Sequence, residues 1–379
     1  MSQHTIHSGF TLWGESIWLS DGKSARPHHL QVLTPAQPGA ARACLLIVHG
    51  MNEHSGRYGA IARHFGERFV VAALDMSAHG LSNPVLLQAH RKISAGSAGH
   101  DAGKAYLEQA RLRNLQALHE DIERAARYLL TACDATGNGS KLPLFILSHS
   151  LGSVVSACWL LQLNDAALKA RIAGIIFSGP AFAGSRVPGW RGWFQNPLIR
   201  FVFASHALFL KPPAWTLSWR TLPQLMALVT VPLQDALVAL LSLPGLRRLF
   251  APRGPAWVKD YLCDNETERK RMNDDQYVIR RNIIAYVLAI IKEIIHFKAQ
   301  MAHFDTPWLL ISSEGDPITP NQGNLDFAAL TQSHCADNEL LVLRGINHHE
   351  QLFSEARLRE KILQKMDSWL DARISAHNS

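Results

Sequence analysis

The chain has 379 residues, of which 47% are hydrophobic and 18% charged, a composition that excludes a disordered polypeptide and allows a large core with an accessory lobe. The formal net charge is +7, yet the chain has no long Lys/Arg block and no alternation of aromatic with basic residues, so nucleic acid is not expected as a partner. Two interpretations of the charge stay open: an ordinary basic surface, or a surface that contacts an anionic membrane.

Strand and helix patterns alternate along most of the chain. Two strand-like runs near the start flank a turn cluster and predict an antiparallel pair. Later short apolar runs predict buried strands, and residues at helical spacing lie between them. This alternation predicts an α/β fold with a mostly parallel central sheet and helices on both faces. The predicted strands are 11–19, 29–33, 43–48, 69–74, 142–147, 172–177, 308–312 and 339–343.

The alternation stops between the strands at 172–177 and 308–312. Several apolar helical stretches, prolines and tryptophans occupy that interval. We therefore expect an inserted, mainly helical cap lobe at 184–302, with 1–183 and 303–379 forming the core. Within the interval, 222–250 is very apolar but contains Pro223, Pro232 and Pro244, and these are expected to prevent a transmembrane helix.

The amino terminus has neither the basic nor the apolar region of a secretory signal. Five cysteines are scattered along the chain without a Cys-x-x-Cys pair, and Cys44 and Cys158 lie in apolar segments that predict core positions. This usage indicates a reducing compartment and no structural zinc. We expect a cytoplasmic protein, with or without peripheral contact to a membrane.

The segment Ser148-His149-Ser150-Leu151-Gly152 follows a predicted strand and precedes a helical pattern. A strand, a tight turn and a helix are the context of a nucleophile elbow, which presents a serine hydroxyl above the sheet. Ser150 is the predicted nucleophile, and Ser148 occupies the position where glycine is usual. The alternative is a serine at an ordinary turn.

A serine nucleophile needs a base that an acid orients. Asp316 follows the strand at 308–312, and His348 follows the last strand, so the order Ser…Asp…His is that of an α/β-hydrolase triad. Glu314 is the rival acid and His349 the rival base. The backbone N–H groups of Leu151 and Met51 are predicted to form the oxyanion hole.

Two segments give a specific resemblance. Residues 49–58 match the pattern HG-x-x-EHSGRY, and residues 75–82 match D-x-x-GHG-x-S with Ala78 in place of a glycine. The chain resembles monoglyceride lipases and bacterial lysophospholipases, which are serine aminopeptidase S33-like members of the α/β-hydrolase superfamily. The resemblance is loose at 84–115 and across most of the cap lobe.

The resemblance implies ester hydrolysis of a single-acyl glycerolipid beneath a helical cap, with no metal or organic cofactor. It also implies that Glu53 and Arg57 lie near the polar end of the site, as substrate contacts or as a salt bridge that fixes the oxyanion loop. Gln351 occupies a position where the lipases often have a second histidine. His79 is expected to be structural, and 268–275 is expected to be a solvated helix face.

The leading functional hypothesis is a serine esterase acting on monoacylglycerols or lysophospholipids. A carboxylesterase for short or aromatic esters is the alternative enzyme. A non-catalytic binding protein on a hydrolase scaffold is the third hypothesis, and reaction with a fluorophosphonate separates it from the other two.

Overall fold

The computed structural model describes residues 10–20, 28–37, 39–97, 101–136, 141–211, 221–254, 258, 261–345, 348, 350–353 and 356–378. Residues 1–9, on which the expectation about a signal peptide rests, and His349 lie outside them. Eight strands form one sheet: β1 (Glu15–Leu19), β2 (His28–Leu33), β3 (Ala43–Val48), β4 (Phe69–Leu74), β5 (Leu144–His149), β6 (Ile172–Ser178), β7 (Trp308–Ser313) and β8 (Glu339–Leu343).

Among the described residues, one or two α-helices follow most strands from β3 onward, and a run of four lies between β6 and β7. The α-helices are α1 (Gly59–Phe65), α2 (Pro84–Ser94), α3 (Gln116–Thr136), α4 (Leu151–Gln162), α5 (Ala166–Arg171), α6 (Gly192–Phe209), α7 (Leu222–Leu241), α8 (Glu266–Asp274), α9 (Ile284–Gln300), α10 (Asn321–Thr331), α11 (Glu350–Phe353) and α12 (Ala356–Asn378). Short 3-10 helices are Ser55–Tyr58, Gly80–Ser82, Ala102–Arg111, Met301–His303 and Gln332–His334.

The strand order is β1-β2-β4-β3-β5-β6-β7-β8. The pairs β1–β2 and β2–β4 are antiparallel, and every other pair is parallel. The predicted mostly parallel sheet and its opening antiparallel pair are therefore confirmed. Because parallel strands share a direction, the carboxyl ends of β3, β5, β6, β7 and β8 lie at one edge, where ligands of such sheets bind.

The core consists of two apolar layers, one on each face of the sheet. Alternate residues of a strand point to opposite faces, so Leu46 of β3 packs in the layer of α3 and α4, whereas Ile47 packs in the layer of α1 and α12. Strands β3 to β7 are buried along their whole length. This double cover explains why they appear in the sequence as continuous apolar runs.

The four helices α6 to α9 occupy the interval between β6 and β7. Helix α7 packs against α6 and α9, and α9 packs against α4 of the core. We propose this interval, 184–302, as the cap lobe.

A disulfide joins Cys44 in β3 to Cys133 in α3, 89 residues apart in sequence. Cys44 and Cys158 are buried as predicted. The expectation of a reducing compartment, however, rested on an odd number of scattered cysteines with no Cys-x-x-Cys pair, and this bond removes that support. An odd number of dispersed cysteines gives no indication of which two the fold brings together.

The expectation that prolines interrupt the apolar segment is wrong, because α7 is continuous from Leu222 to Leu241. Pro223 lies in the first turn of the helix, where no N–H is needed, and the helix continues past Pro232 to Leu241. Among the described residues, α7 is the one helix long and apolar enough to cross a membrane, with a mean hydropathy of 1.7. Length and composition are weak evidence for a span, because core helices meet the same criterion.

Candidate active site

Ser150 lies in the turn between β5 and α4 and has φ +52° and ψ −119°. Positive φ is uncommon for a residue with a side chain, and such strain is found at functional turns. Gly152 explains how the turn fits: a Cβ atom there would lie 2.5 Å from the carbonyl oxygen of His49 and 2.7 Å from that of Val48. Only glycine allows α4 to approach the end of β3 this closely.

Hydrogen bonds hold the turn on both sides. The N–H of Ser150 donates to the carbonyl of Ser178 at 3.0 Å, and the N–H of Ala181 donates to the carbonyl of Ser150 at 3.1 Å. Ser148, in the usual glycine position, is fully buried in β5, and its carbonyl accepts the Ser153 hydroxyl at 3.0 Å. A small side chain is therefore tolerated at that position.

The structure brings Asp316 and His348 together at the same edge of the sheet. Nδ1 of His348 donates to Oδ2 of Asp316 at 2.6 Å, which leaves Nε2 as the basic nitrogen of the ring. The other oxygen of Asp316 accepts the N–H groups of Ile318 at 2.7 Å and Thr319 at 3.1 Å. The Thr319 hydroxyl donates to Oδ2 at 2.7 Å, a contact that the sequence did not indicate.

These contacts keep Asp316 ionised. Burial by itself would raise the pKa of its carboxyl, but attraction to His348 and the hydrogen bonds from His348 and Thr319 lower the pKa below its usual value. An ionised carboxylate is what an imidazole needs in order to keep one tautomer and to accept a proton on its other nitrogen.

His348 adjoins the nucleophile turn. Its ring centroid lies 4.9 Å from that of His149, the residue directly before Ser150. The rival acid Glu314 is 62% exposed and 3.8 Å from Arg344, so it does not orient the imidazole. The rival base His349 lies outside the described residues.

The two predicted oxyanion donors lie on either side of the turn. Leu151 is the first residue of α4, whose initial N–H groups have no carbonyl within the helix to donate to. Met51 follows Gly50, whose Cα lies so close to the turn that a Cβ would be 3.1 Å from Cβ of Ser150. Asn52, next in the loop, has φ +64°. This loop, residues 50–53, is called the oxyanion loop below.

The buried carboxylate of Glu53 stabilises the conformation of the oxyanion loop. Its carboxylate accepts the N–H of Gly50 at 3.2 Å and the hydroxyl of Tyr58 at 2.9 Å, and it pairs with Nη1 of Arg57. Nη2 of Arg57 donates to Glu268 of α8 at 2.7 Å. Glu53 and Arg57 are each 3% exposed, a geometry that fits the salt-bridge alternative for this pair.

The expectation of a solvated helix face at 268–275 is wrong for two of its acidic residues. Glu268 is 8% and Asp275 3% exposed. Asp275 accepts a hydrogen bond from Nε2 of His54 at 2.7 Å. Both carboxylates face the segment that follows the oxyanion loop, so α8 and the chain after it are tied to the core by buried polar contacts.

Gln109 is a functional candidate that sequence reasoning missed. Its amide nitrogen donates to Oδ1 of Asn52 at 3.0 Å and to Oδ1 of Asn282 at 3.1 Å, and its oxygen accepts the N–H of Ile283 at 3.1 Å. This fully buried residue joins the 3-10 helix Ala102–Arg111, the oxyanion loop and the start of α9. No motif marks it, because the surrounding segment departs from the family pattern.

Two histidines near the oxyanion loop have structural contacts. His79, expected to be structural, lies with Nδ1 2.9 Å from the carbonyl of Ser77, and its burial lowers its pKa to about 3. Burial also lowers the pKa of His49, whose Nε2 accepts the N–H of Met76 at 3.1 Å. Both rings are therefore neutral at pH 7.

Within the described ranges no group of three His, Cys, Asp or Glu side chains could hold a metal ion.

The comparison with known protein families finds a match over most of the chain. The profile described as "Serine aminopeptidase, S33" matches residues 39–355. A Dictyostelium discoideum protein described as an uncharacterized abhydrolase domain-containing protein is 23% identical over 334 residues, which are 88% of this chain and 26% of that relative. The chain thus spans about a quarter of the length of this curated relative.

Solved structures with the same fold include a soluble variant of monoglyceride lipase from Saccharomyces cerevisiae in complex with a substrate analogue, with a TM-score of 0.62, 16% identity and 97% of both chains covered. A monoacylglycerol lipase from Paleococcus ferrophilus has a TM-score of 0.55 at 18% identity, covering 91% of this chain and 98% of its own. A carboxyl esterase from Bacillus coagulans also has a TM-score of 0.55 at 18% identity. The match covers 95% of this chain and 98% of the esterase. They confirm the expected α/β-hydrolase fold.

Replacing Arg57 by methionine is expected to lower the free energy of unfolding by about 3–5 kcal/mol, because it leaves the buried carboxylates of Glu53 and Glu268 without their cation. Urea unfolding of both proteins measures the difference. Arg63→Met, on the exposed side of α1, is the matched control and should change stability by less than about 0.5 kcal/mol. Equal effects of the two substitutions would contradict a stabilising role for the Arg57 contacts.

Proposed function

The chain belongs to the serine aminopeptidase S33 family of hydrolases, and on this premise we propose that it hydrolyses the carboxylic ester of single-acyl glycerolipids through an acyl-enzyme on Ser150. The observation that carries the proposal is the hydrogen bond between His348 and Asp316, which lies next to a strained serine turn. These are the three groups that nucleophilic ester cleavage requires.

In the acylation half-reaction, the hydroxyl oxygen of Ser150 attacks the ester carbonyl while Nε2 of His348 takes the hydroxyl proton. The N–H groups of Met51 and Leu151 donate to the oxyanion that forms on the carbonyl oxygen. When the carbon–oxygen bond to the alcohol breaks, the imidazolium returns the proton to the leaving oxygen. Asp316 stays ionised and stabilises the imidazolium.

In the deacylation half-reaction, water replaces the alcohol. Nε2 of His348 removes a proton from the water, whose oxygen attacks the acyl carbonyl. When the bond to Ser150 breaks, the imidazolium returns this proton to the serine oxygen, which restores the hydroxyl and releases a fatty acid. Since both halves use the same base and the same oxyanion donors, one geometry serves the whole cycle.

A lipid substrate is supported by the apolar character of the cap lobe and by the two lipases among the structures with this fold. Apolar concave surfaces bind long acyl chains, and each methylene removed from water contributes about 0.8 kcal/mol. A carboxyl esterase also has this fold, so hydrolysis of short esters is the alternative that a substrate profile must test.

We extend the proposal to an anionic membrane as the surface from which the substrate is taken. Helix α7 exposes a stripe of large apolar side chains spaced three or four residues apart, and the start of α6 exposes more. We call these residues the apolar face: Trp190, Trp193, Phe194, Leu198, Phe201, Leu222, Met226, Val229, Leu233, Leu237 and Leu240. Only 17% of the apolar window of α7 is buried, and an apolar surface of this extent is typical of an interaction site.

The charges around the apolar face favour an anionic partner. Residues 184–250 contain one acidic residue, Asp235, and seven basic ones: Arg186, Arg191, Arg200, Lys211, Arg220, Arg247 and Arg248. Basic residues beside an apolar helix attract anionic lipid headgroups, and each contributes about 1 kcal/mol to binding when it lies near the membrane surface. The expected arrangement has α7 lying along the interface with its exposed stripe in the lipid.

Ser150→Ala is expected to fold normally and to lose both ester hydrolysis and labelling by a fluorophosphonate, because the attacking oxygen is gone. His348→Ala and Asp316→Ala are each expected to lower kcat by about 10⁴-fold. Steady-state hydrolysis of a monoacylglycerol and gel-based labelling measure these losses.

Ser148→Ala and Glu314→Ala are the matched controls for the serine and the acid, and both should retain most of the activity. Mapping of the label to Ser148, or an equal loss of kcat for Glu314→Ala, would overturn the assignment. A wild-type protein that neither reacts with the fluorophosphonate nor cleaves any ester would instead be a binding protein.

For a series of monoacylglycerols kept below their aggregation limits, kcat/KM is expected to increase with acyl length from butanoyl to decanoyl. The reason is transfer of each added methylene into the apolar site, which contributes up to about fourfold. Parallel assays with lysophospholipids and p-nitrophenyl acetate compare the head groups. A maximum at the shortest esters would support the carboxylesterase alternative and contradict the lipid proposal.

Sedimentation with vesicles of phosphatidylcholine plus phosphatidylglycerol should remove the protein from solution at low salt, and high salt should weaken this binding. The double variant Trp193→Ser/Leu233→Ser should bind at least about tenfold more weakly, since two large exposed apolar side chains are lost. Leu330→Ser, on α10 outside the apolar face, is the control and should bind like the wild type. Absence of binding to the anionic vesicles at low salt would refute the membrane proposal.

A further inference from the structure

A groove of about 420 Å³ lies between the carboxyl-terminal half of α7 with the turn after it, the amino-terminal half of α9 and the 3-10 helix Ala102–Arg111. Its volume is within the range of small-molecule sites, about 300–1,000 Å³. Apolar side chains such as Leu107, Val238 and Leu288 form much of its wall. The described residues that line it include no member of the candidate active site.

The groove has a surplus of positive charge. Four basic side chains line it, and only two acidic ones do. Nζ of Lys292 pairs with Asp235 at 2.7 Å, and Nε of Arg111 pairs with Glu108 at 3.2 Å. The remaining two cations, Arg113 and Arg247, have no acidic partner in the described part of the chain. Two guanidinium groups beside an apolar wall attract an anion that carries an apolar chain.

Two polar atoms in the groove wall point to the position of that anion. The hydroxyl oxygen of Ser242 and Nε of Arg247 are both buried, and neither has a hydrogen-bond partner among the described residues. Buried donors without a partner are rare, because their desolvation is not compensated. Both residues belong to the lining of the groove and follow the end of α7, so their unpartnered atoms indicate this part of the wall as the place for an acceptor group.

We propose that this groove binds a long-chain carboxylate, with its head group at Arg247, Ser242 and Arg113 and its alkyl chain along the apolar wall. A carboxylate matches the planar fork of an arginine and accepts charge-assisted hydrogen bonds. The proposal rests on the proposed function for the source of the ligand, since hydrolysis of a single-acyl lipid releases a fatty acid. The site itself is separate from Ser150, so the released acid has a binding place outside the catalytic centre.

The 3-10 helix that forms one wall belongs to the segment 84–115, where the resemblance to the lipases is loose. Gln109 of that helix fixes its position against the oxyanion loop and α9. The groove therefore follows from features of this chain and not from the residues that match the family pattern.

Isothermal titration of the full-length Ser150→Ala protein with dodecanoate, below its micelle concentration, tests the site without turnover. Arg247→Gln and Arg113→Gln, each in that background, should weaken the binding by about tenfold or more, through loss of a charge-assisted hydrogen bond. Arg248→Gln is the matched control, because Arg248 is the exposed neighbour that does not line the groove, and it should bind dodecanoate unchanged. Dodecanol, which has the same chain without the charge, should bind much more weakly.

The carboxylate site would be refuted if Arg248→Gln weakened binding equally, or if dodecanol bound as tightly as dodecanoate. It would also be refuted if dodecanoate did not bind, or if dodecyl phosphate bound more tightly. Arg113 is an exposed side chain, so Arg113→Gln keeps the test decisive if Arg247→Gln fails to fold. If the wild-type protein cleaves no ester, that result would contradict the proposed function alone, because the titration does not depend on catalysis.

Discussion

The turn at Ser150 is the constraint on which the site depends. The chain must leave the end of β5 and enter α4 within one residue, and this forces positive φ on a residue that has a side chain. The close approach of Gly152 to the carbonyl oxygens of Val48 and His49 makes the turn fit only if β3 and β5 are neighbours in the sheet. The same approach places the first N–H groups of α4 beside the oxyanion loop. The positions of the predicted nucleophile and of the predicted oxyanion donors therefore both depend on one packing contact.

Buried polar contacts connect the oxyanion loop and the residues after it to α8 and Asp275, in the interval proposed as the cap lobe. Arg57 contacts both Glu53 of the oxyanion loop and Glu268 in α8, while His54 contacts Asp275. Inside a protein, such charges are stable only when paired, so displacement of α8 would leave costly unpaired groups. The position of α8 and the conformation of the oxyanion loop are therefore linked through these ion pairs.

The sequence predicted the parts of the molecule that depend on local pattern. Strands that are covered on both faces are continuous apolar runs, and in a parallel sheet the residues that follow them meet at one edge. The contact between Asp316 and His348, next to the turn of Ser150, could therefore be predicted from their positions after two strands. The disulfide between Cys44 and Cys133 could not be predicted, because its pairing depends on how α3 lies on β3. The burial of Glu268 and Asp275 was missed because a charged helix usually faces solvent, and their partners lie more than 200 residues away. Pro232 suggested a helix end, yet α7 continues past it.

In the proposed mechanism, Ser150 is acylated while the N–H groups of Met51 and Leu151 donate to the carbonyl oxygen of the ester. A crystal structure of the protein after reaction with an alkyl fluorophosphonate tests this most directly, since the phosphonate mimics the tetrahedral intermediate. We expect the phosphorus on the oxygen of Ser150, with one phosphonate oxygen about 2.7–3.1 Å from both nitrogen atoms. An adduct on another residue, or a phosphonate oxygen that neither N–H group reaches, would contradict the account.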